Sequence, residues 1–105
     1  MNYTIRSKAN YSMATIDFYI QFSENDGFLE YMITQKGLKK KFNALSVAAS
    51  RKNNTLRVTM PFGTDEKKFA EATKKTLQFL YNMFGMKSYS QGCDSGDLFG
   101  SFFGG

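Results

Sequence analysis

Residues 13–22 sort at period two. Ala14, Ile16, Phe18, Ile20 and Phe22 fall on one side, and Met13, Thr15, Asp17, Tyr19 and Gln21 on the other. That period marks a strand with one buried face. It returns over residues 55–62, with Leu56, Val58, Met60 and Phe62 inward and Thr55, Arg57 and Thr59 outward. Pro61 has no N–H and so limits pairing at the end of this strand. Asn25-Asp26-Gly27 reads as a turn because glycine accepts a positive φ, and it predicts that residues 28–35 return as a strand beside 13–22. Lys36-Gly37 predicts a second turn, 38–49 a further strand and 51–54 a third turn. Residues 3–8 add an edge strand, closed near Ala9-Asn10.

The period then changes. Thr64 is a fitting N-cap, and Asp65 and Glu66 put negative charge where a helix begins. Phe69, Ala72, Thr73, Leu77, Leu80, Tyr81 and Phe84 recur at three- and four-residue spacing on one face, so residues 65–84 predict an amphipathic helix. Gly85 is placed to stop it as the C′ residue. The helix stripe needs an apolar surface, and the inward sheet face is the one the sequence offers. The fold class is therefore α+β: an antiparallel four- to five-stranded meander with one C-terminal helix packed on one face, leaving the other face open. Residues 1–85 form the domain, and 86–105 a flexible Gly-rich tail with an acidic-aromatic tip. A domain this small buries its own core only marginally, so dimerisation through the helix or an edge strand is expected.

Composition excludes several chemistries. The 105 residues contain no His and one Cys, Cys93. Ser-His-Asp triads, Cys-His dyads and His metal sites cannot be built, nor can a disulfide within the chain or a Cys-rich zinc site. Cys93 lies beside Asp94, whose charge disfavours a thiolate. The carboxylates show no paired pattern for acid–base work, and no phosphate-cradling Gly-rich loop precedes the helix. No metal, cofactor or catalytic residue is expected, and the chain reads as a non-enzyme. No apolar run is long enough to span a bilayer, and Met1–Arg6 lacks the apolar core of a signal peptide. These features predict a cytoplasmic protein, of a bacterium or an infected host cell, with no membrane partner.

Charge sharpens the picture once it is divided along the chain. The total is +5. Residues 31–64 hold Lys36, Lys39, Lys40, Lys41, Arg51, Lys52 and Arg57 with no acid, while residues 1–30 carry a net −2. A solvated face ordinarily mixes signs. Such a block predicts an anionic partner. Lys39, Lys40, Lys41, Arg51, Lys52 and Arg57 are the candidate phosphate contacts. Tyr19 projects from the open face by parity, and Tyr31 and Phe42 are further aromatic candidates, with Tyr19 and Tyr31 assigned to base stacking. In the tail, Asp94 and Asp97 precede Leu98, Phe99, Phe102 and Phe103, a tip expected to dock on a partner or a neighbouring subunit. The terminal Gly104-Gly105 matches ubiquitin-like modifiers in two residues only, and the helix position opposes that order of elements.

Antiparallel strands followed by a C-terminal helix and a tail resemble the small single-stranded DNA-binding proteins of the whirly or transcriptional-coactivator type. The Asp94–Phe103 tip resembles the acidic, Phe-ended tails of replication single-strand binders, although it has only two acids and ends in Gly-Gly. The resemblance implies a non-catalytic binder of single-stranded nucleic acid, with DNA favoured because DNA is what those proteins bind. It would act in replication or recombination of a phage or mobile element, as a dimer or higher homo-oligomer, with the tail recruiting a partner or clipping subunits together. The competing expectations are a small phage-type inhibitor of a host enzyme and a self-assembling structural protein.

Overall fold

Two hairpins build the sheet. β1 (Tyr3–Asn10) and β2 (Thr15–Phe22) pair antiparallel, as do β3 (Ser46–Ser50) and β4 (Thr55–Pro61). The hairpins join through β2 and β4, also antiparallel, giving the order β1-β2-β4-β3. Between them run two short helices, α1 (Phe28–Ile33) and α2 (Leu38–Lys41), and after them the long α3 (Glu66–Gly92). The computed structural model describes residues 2–92, with side chains through residue 86. The fold is α+β, a four-stranded antiparallel sheet with a C-terminal helix on one face.

The segment between β2 and β3 departs from expectation. Residues 28–35, read as a strand, form α1, and 38–49 divide into α2, a loop and β3. A strand through 28–35 would place Glu30 on the same face as Phe28 and Met32. The helix instead buries Phe28, Leu29 and Met32 and leaves Glu30 exposed. Asn25-Asp26-Gly27 is therefore a helix entry rather than a hairpin turn. The carboxylate of Asp26 accepts the Phe28 N–H at 3.0 Å, and Gly27 takes φ 89°. Leu38 and Phe42, four residues apart, are both buried, so one helical turn serves them where an extended run would not. The chain crosses the helix-covered face in this segment and re-enters the sheet at its outer edge, which makes β4 an interior strand.

Phe18, Ile20 and Phe22 on β2 and Leu56, Val58 and Met60 on β4 form the sheet's share of the core. Phe28, Leu29 and Met32 of α1, Leu38 of α2, Phe42, and Phe69, Leu77 and Leu80 of α3 close over them. The rings of Phe18 and Phe69 stack with centroids 3.9 Å apart. Two residues read as inward are not. Ala14 sits in the β1–β2 turn at φ 54°, and Phe62 is 51% exposed, past the end of β4.

Helix α3 differs from its reading at both ends. Asp65, not Thr64, caps it, its carboxylate accepting the N–H groups of Lys67 and Lys68 at 2.8 and 3.1 Å. The Thr64 hydroxyl donates instead to the Pro61 carbonyl, closing the turn after β4. Ser7 on β1 donates to the Glu66 carboxylate and ties the start of the helix to the sheet. Ala72, assigned to the packed face, is exposed. Gly85 does not end the helix. It keeps a helical backbone, and the helix continues to Gly92. Phe84 just before it packs on Phe28 and Tyr31, which holds the chain against the domain at that point.

Candidate nucleic-acid interface

Burial of Phe18, Ile20 and Phe22 turns Asp17, Tyr19 and Gln21 to the opposite, uncovered face of the sheet. The same parity on β4 turns out Arg57 and Thr59. On β1, whose inward positions include Tyr3 and Ile5, it turns out Arg6 and Lys8. Register then aligns these residues in rows across the strands. Arg6 is opposite Tyr19, Tyr19 opposite Arg57, and Arg57 opposite Ala48. The centre of the open face is thus a cation, an aromatic ring and a second cation on three adjacent strands. The Arg6 guanidinium carbon lies 5.7 Å from the Tyr19 ring centroid, within cation–π range.

The neighbouring row is Lys8, Asp17, Thr59 and Ser46. Asp17 is the acid in these two rows, and its carboxylate accepts the Thr59 hydroxyl at 2.7 Å. Three cations therefore outnumber one carboxylate on the central open face. Small side chains at Ala48 and Ser50 leave a shallow depression of about 400 Å³ walled by Arg6, Tyr19 and Arg57. A second depression, of about 380 Å³, lies on the other side toward Lys8 and Tyr11, and Tyr19 lines both. Tyr11, 80% exposed, sits 5.3 Å from the ring of Phe62. This pair extends the aromatic surface beyond Tyr19 at the β1–β2 turn.

The eight residues singled out from sequence do not converge. Tyr19 and Arg57 are adjacent on the open face. Arg51 lies in the β3–β4 turn and pairs with Glu30 of α1 at 2.7 Å. Lys52 follows it in the same exposed turn. Lys39, Lys40 and Lys41 are exposed on α2 in the helix layer, where Lys39 lines a depression at the β3 edge together with Arg51 and Ala48. Tyr31 also belongs to that layer, its ring 5.3 Å from Phe84 and 6.5 Å from Phe28, so it is not an open-face platform. Phe42 is buried at 7% exposure. The tail residues Asp94, Asp97, Leu98, Phe99, Phe102 and Phe103 lie outside the described residues.

Sequence reasoning missed Arg6, Lys8, Tyr11 and Phe62. The signal for the first two was present. Tyr3 and Ile5 alternate with Thr4, Arg6 and Lys8, but counting charge by segment merged both cations into an acidic third of the chain. Nothing in the sequence marks Tyr11 and Phe62 as partners, because they meet only when the β2–β4 register brings Phe62 back to the first turn, where its N–H bonds the Ala14 carbonyl.

Among the described residues, no group of three or more His, Cys, Asp or Glu side chains could hold a metal ion. Among the same residues, no helix is long and apolar enough to cross a membrane. Comparison with protein-family models, with curated proteins and with solved structures finds no match to this chain.

Proposed function

We propose that this protein is a non-catalytic binder of single-stranded nucleic acid and that the open sheet face is its binding surface. The observation that carries the reading is the row Arg6, Tyr19 and Arg57 across β1, β2 and β4, with depressions on both sides of the tyrosine ring. A base that stacks on Tyr19 takes the place of the Arg6 guanidinium over the ring, and Arg6 and Arg57 on the neighbouring strands are then at hand for its flanking phosphates. An open sheet suits an unpaired strand, whose bases are free to splay onto it; a duplex keeps its bases stacked inside. Lys8 and the Tyr11–Phe62 pair would lengthen the track toward the β1–β2 turn. DNA as the ligand, a role in replication or recombination of a phage or mobile element, and a cytoplasmic setting belong to the same proposal. Recruitment through residues 94–103 does too.

Fluorescence anisotropy with a labelled oligonucleotide, repeated across salt concentrations, tests this reading. Affinity should fall steeply as salt rises, because bound phosphates release counterions. The probes are a labelled homopyrimidine strand and the same strand annealed to its complement. No binding at low salt, or equal affinity for strand and duplex, would sink the proposal.

A further inference from the structure

Strand β3 lies at one side of the sheet, with β4 as its neighbour. The hydrogen-bond phase of the sheet fixes which of its main-chain groups are free. Phe22 donates to the Asn54 carbonyl and Phe62 to the Ala14 carbonyl, so the even-numbered residues of β4 turn their N–H and C=O groups to β2. Alternation turns those of Thr55, Arg57 and Thr59 to β3, where register meets them with Ser50, Ala48 and Ser46. Val47 and Ala49 therefore direct their N–H and C=O groups outward, and among the described residues no hydrogen bond reaches them there.

Open edges are ordinarily guarded by charge, proline or a covering element. The opposite edge is guarded: β1 carries Arg6 and Lys8, and Ser7 is tied to Glu66 of α3. β3 reads Ser-Val-Ala-Ala-Ser, with neither charge nor proline. Beside it lies a depression of about 350 Å³, lined by the apolar side chains of Ile33, Leu38, Val47 and Leu56 and by Lys39 and Arg51.

The charge around this edge is the part of the basic block that the open face leaves unused. Lys39, Lys40 and Lys41 stand on α2 before β3, and Arg51 and Lys52 in the turn after it. The turn is close to neutral. Arg51 is paired with Glu30, and Glu24 is brought near by the bond from the Asn54 side chain to its carbonyl. The α2 side is not neutral. Residues 31–50 contain no acid, and among the described residues none of the three lysines is in an ion pair. An occupant of this edge must therefore supply carboxylates or phosphates, together with main-chain donors and acceptors. Only an acidic polypeptide supplies all of these. A sugar–phosphate backbone has no N–H to give the Val47 and Ala49 carbonyls, and no aromatic ring lines the depression for a base to stack on. A second copy of α2 and β3 brings further cations and no acid.

We propose that the free edge of β3 binds an acidic, extended segment of another protein as an added strand. The main chain of Val47 and Ala49 pairs with the segment, one of its apolar side chains enters the depression, and its carboxylates meet Lys39 and the field of Lys40 and Lys41. This site does not rest on what the open face binds.

The probe is a fluorescein-labelled peptide of about six residues alternating Glu and Val, enough to span β3 at about 3.3 Å per residue. Its control alternates Lys and Val. Anisotropy with the full chain should show the acidic peptide binding at least about tenfold more tightly than the basic one. In hydrogen exchange followed by NMR, the acidic peptide should slow the Val47 and Ala49 amides and leave Ala48, already bonded to β4, unchanged. Ala49→Pro removes an N–H that the sheet does not use, and should weaken binding about tenfold. A probe with N-methylated valines tests the same bonds from the ligand side, whatever Ala49→Pro does to folding, and should also lose about tenfold. No binding of the acidic peptide, equal binding of the two peptides, or exchange that does not slow at Val47 and Ala49 overturns the proposal. So does unchanged affinity of the N-methylated probe. Displacement of the peptide by a homopyrimidine strand that slows the same two amides also overturns it, and assigns the edge to nucleic acid.

Discussion

Arg6 and Tyr19 lie directly opposite each other on β1 and β2, the guanidinium carbon 5.7 Å from the ring centroid. The contact holds the arginine over the ring, and among the described residues its charge is not engaged in an ion pair. Arg51 is the contrasting case, with its guanidinium 2.7 Å from the Glu30 carboxylate. Two arginines of equal formal charge therefore differ in what they offer an anion.

Replacing Tyr19 by Ala should weaken oligonucleotide binding by about 1–3 kcal/mol, the ordinary worth of one stacked base. Tyr19→Phe should retain most of the affinity, because the ring supplies the stacking surface. Anisotropy titrations at one fixed salt concentration make the comparison.

Arg57→Ala and Arg6→Ala should each reduce the slope of log affinity against log salt by about one, as expected for one lost phosphate contact. Arg51→Ala should change that slope less, since Glu30 already neutralises its guanidinium. A larger effect at Arg51 than at Arg57 would move the binding surface from the open face to the β3–β4 turn.

Replacing Lys39, Lys40 and Lys41 together by Ala should lower affinity at low salt only. Lys40 and Lys41 belong to the helix layer and Lys39 to the β3 edge, and charges beyond about 8 Å from a bound strand are largely screened at physiological ionic strength. A loss that persists at physiological salt would show that the strand wraps past β3 onto α2.

Thr73 is 1% exposed, and its hydroxyl has no hydrogen-bond partner among the described residues. Thr73→Val keeps the shape and removes the unpaired polar atom, and should raise stability by about 1 kcal/mol. Asp65→Ala should lower it by a similar amount, about 1 kcal/mol, through loss of the cap. Denaturant unfolding monitored by circular dichroism measures both.

The sequence by itself determined the elements whose burial pattern repeats over a long enough run. Residues 15–22 and 55–61 form strands with the faces their alternation assigns, and the three-to-four spacing from Phe69 to Leu80 forms the helix that covers them. Tyr19 and Arg57 could be placed on the open face for the same reason, because parity along a strand fixes the side to which a residue turns. Short segments lacked that redundancy. Six residues from Phe28 to Ile33 fit either period until Glu30 has to be kept out of the core. What only the tertiary structure decided was adjacency across the sheet. The crossing of α1 and α2 places β4 beside β2, and that register alone brings Arg57 next to Tyr19 and leaves Lys39, Lys40 and Lys41 outside that row. A run of positive charge in sequence is thus split between two surfaces, and a second cluster forms from strands far apart in the chain. The physical cause is that a strand's neighbours are set by hydrogen-bonded pairing and core packing, neither of which charge along the chain records.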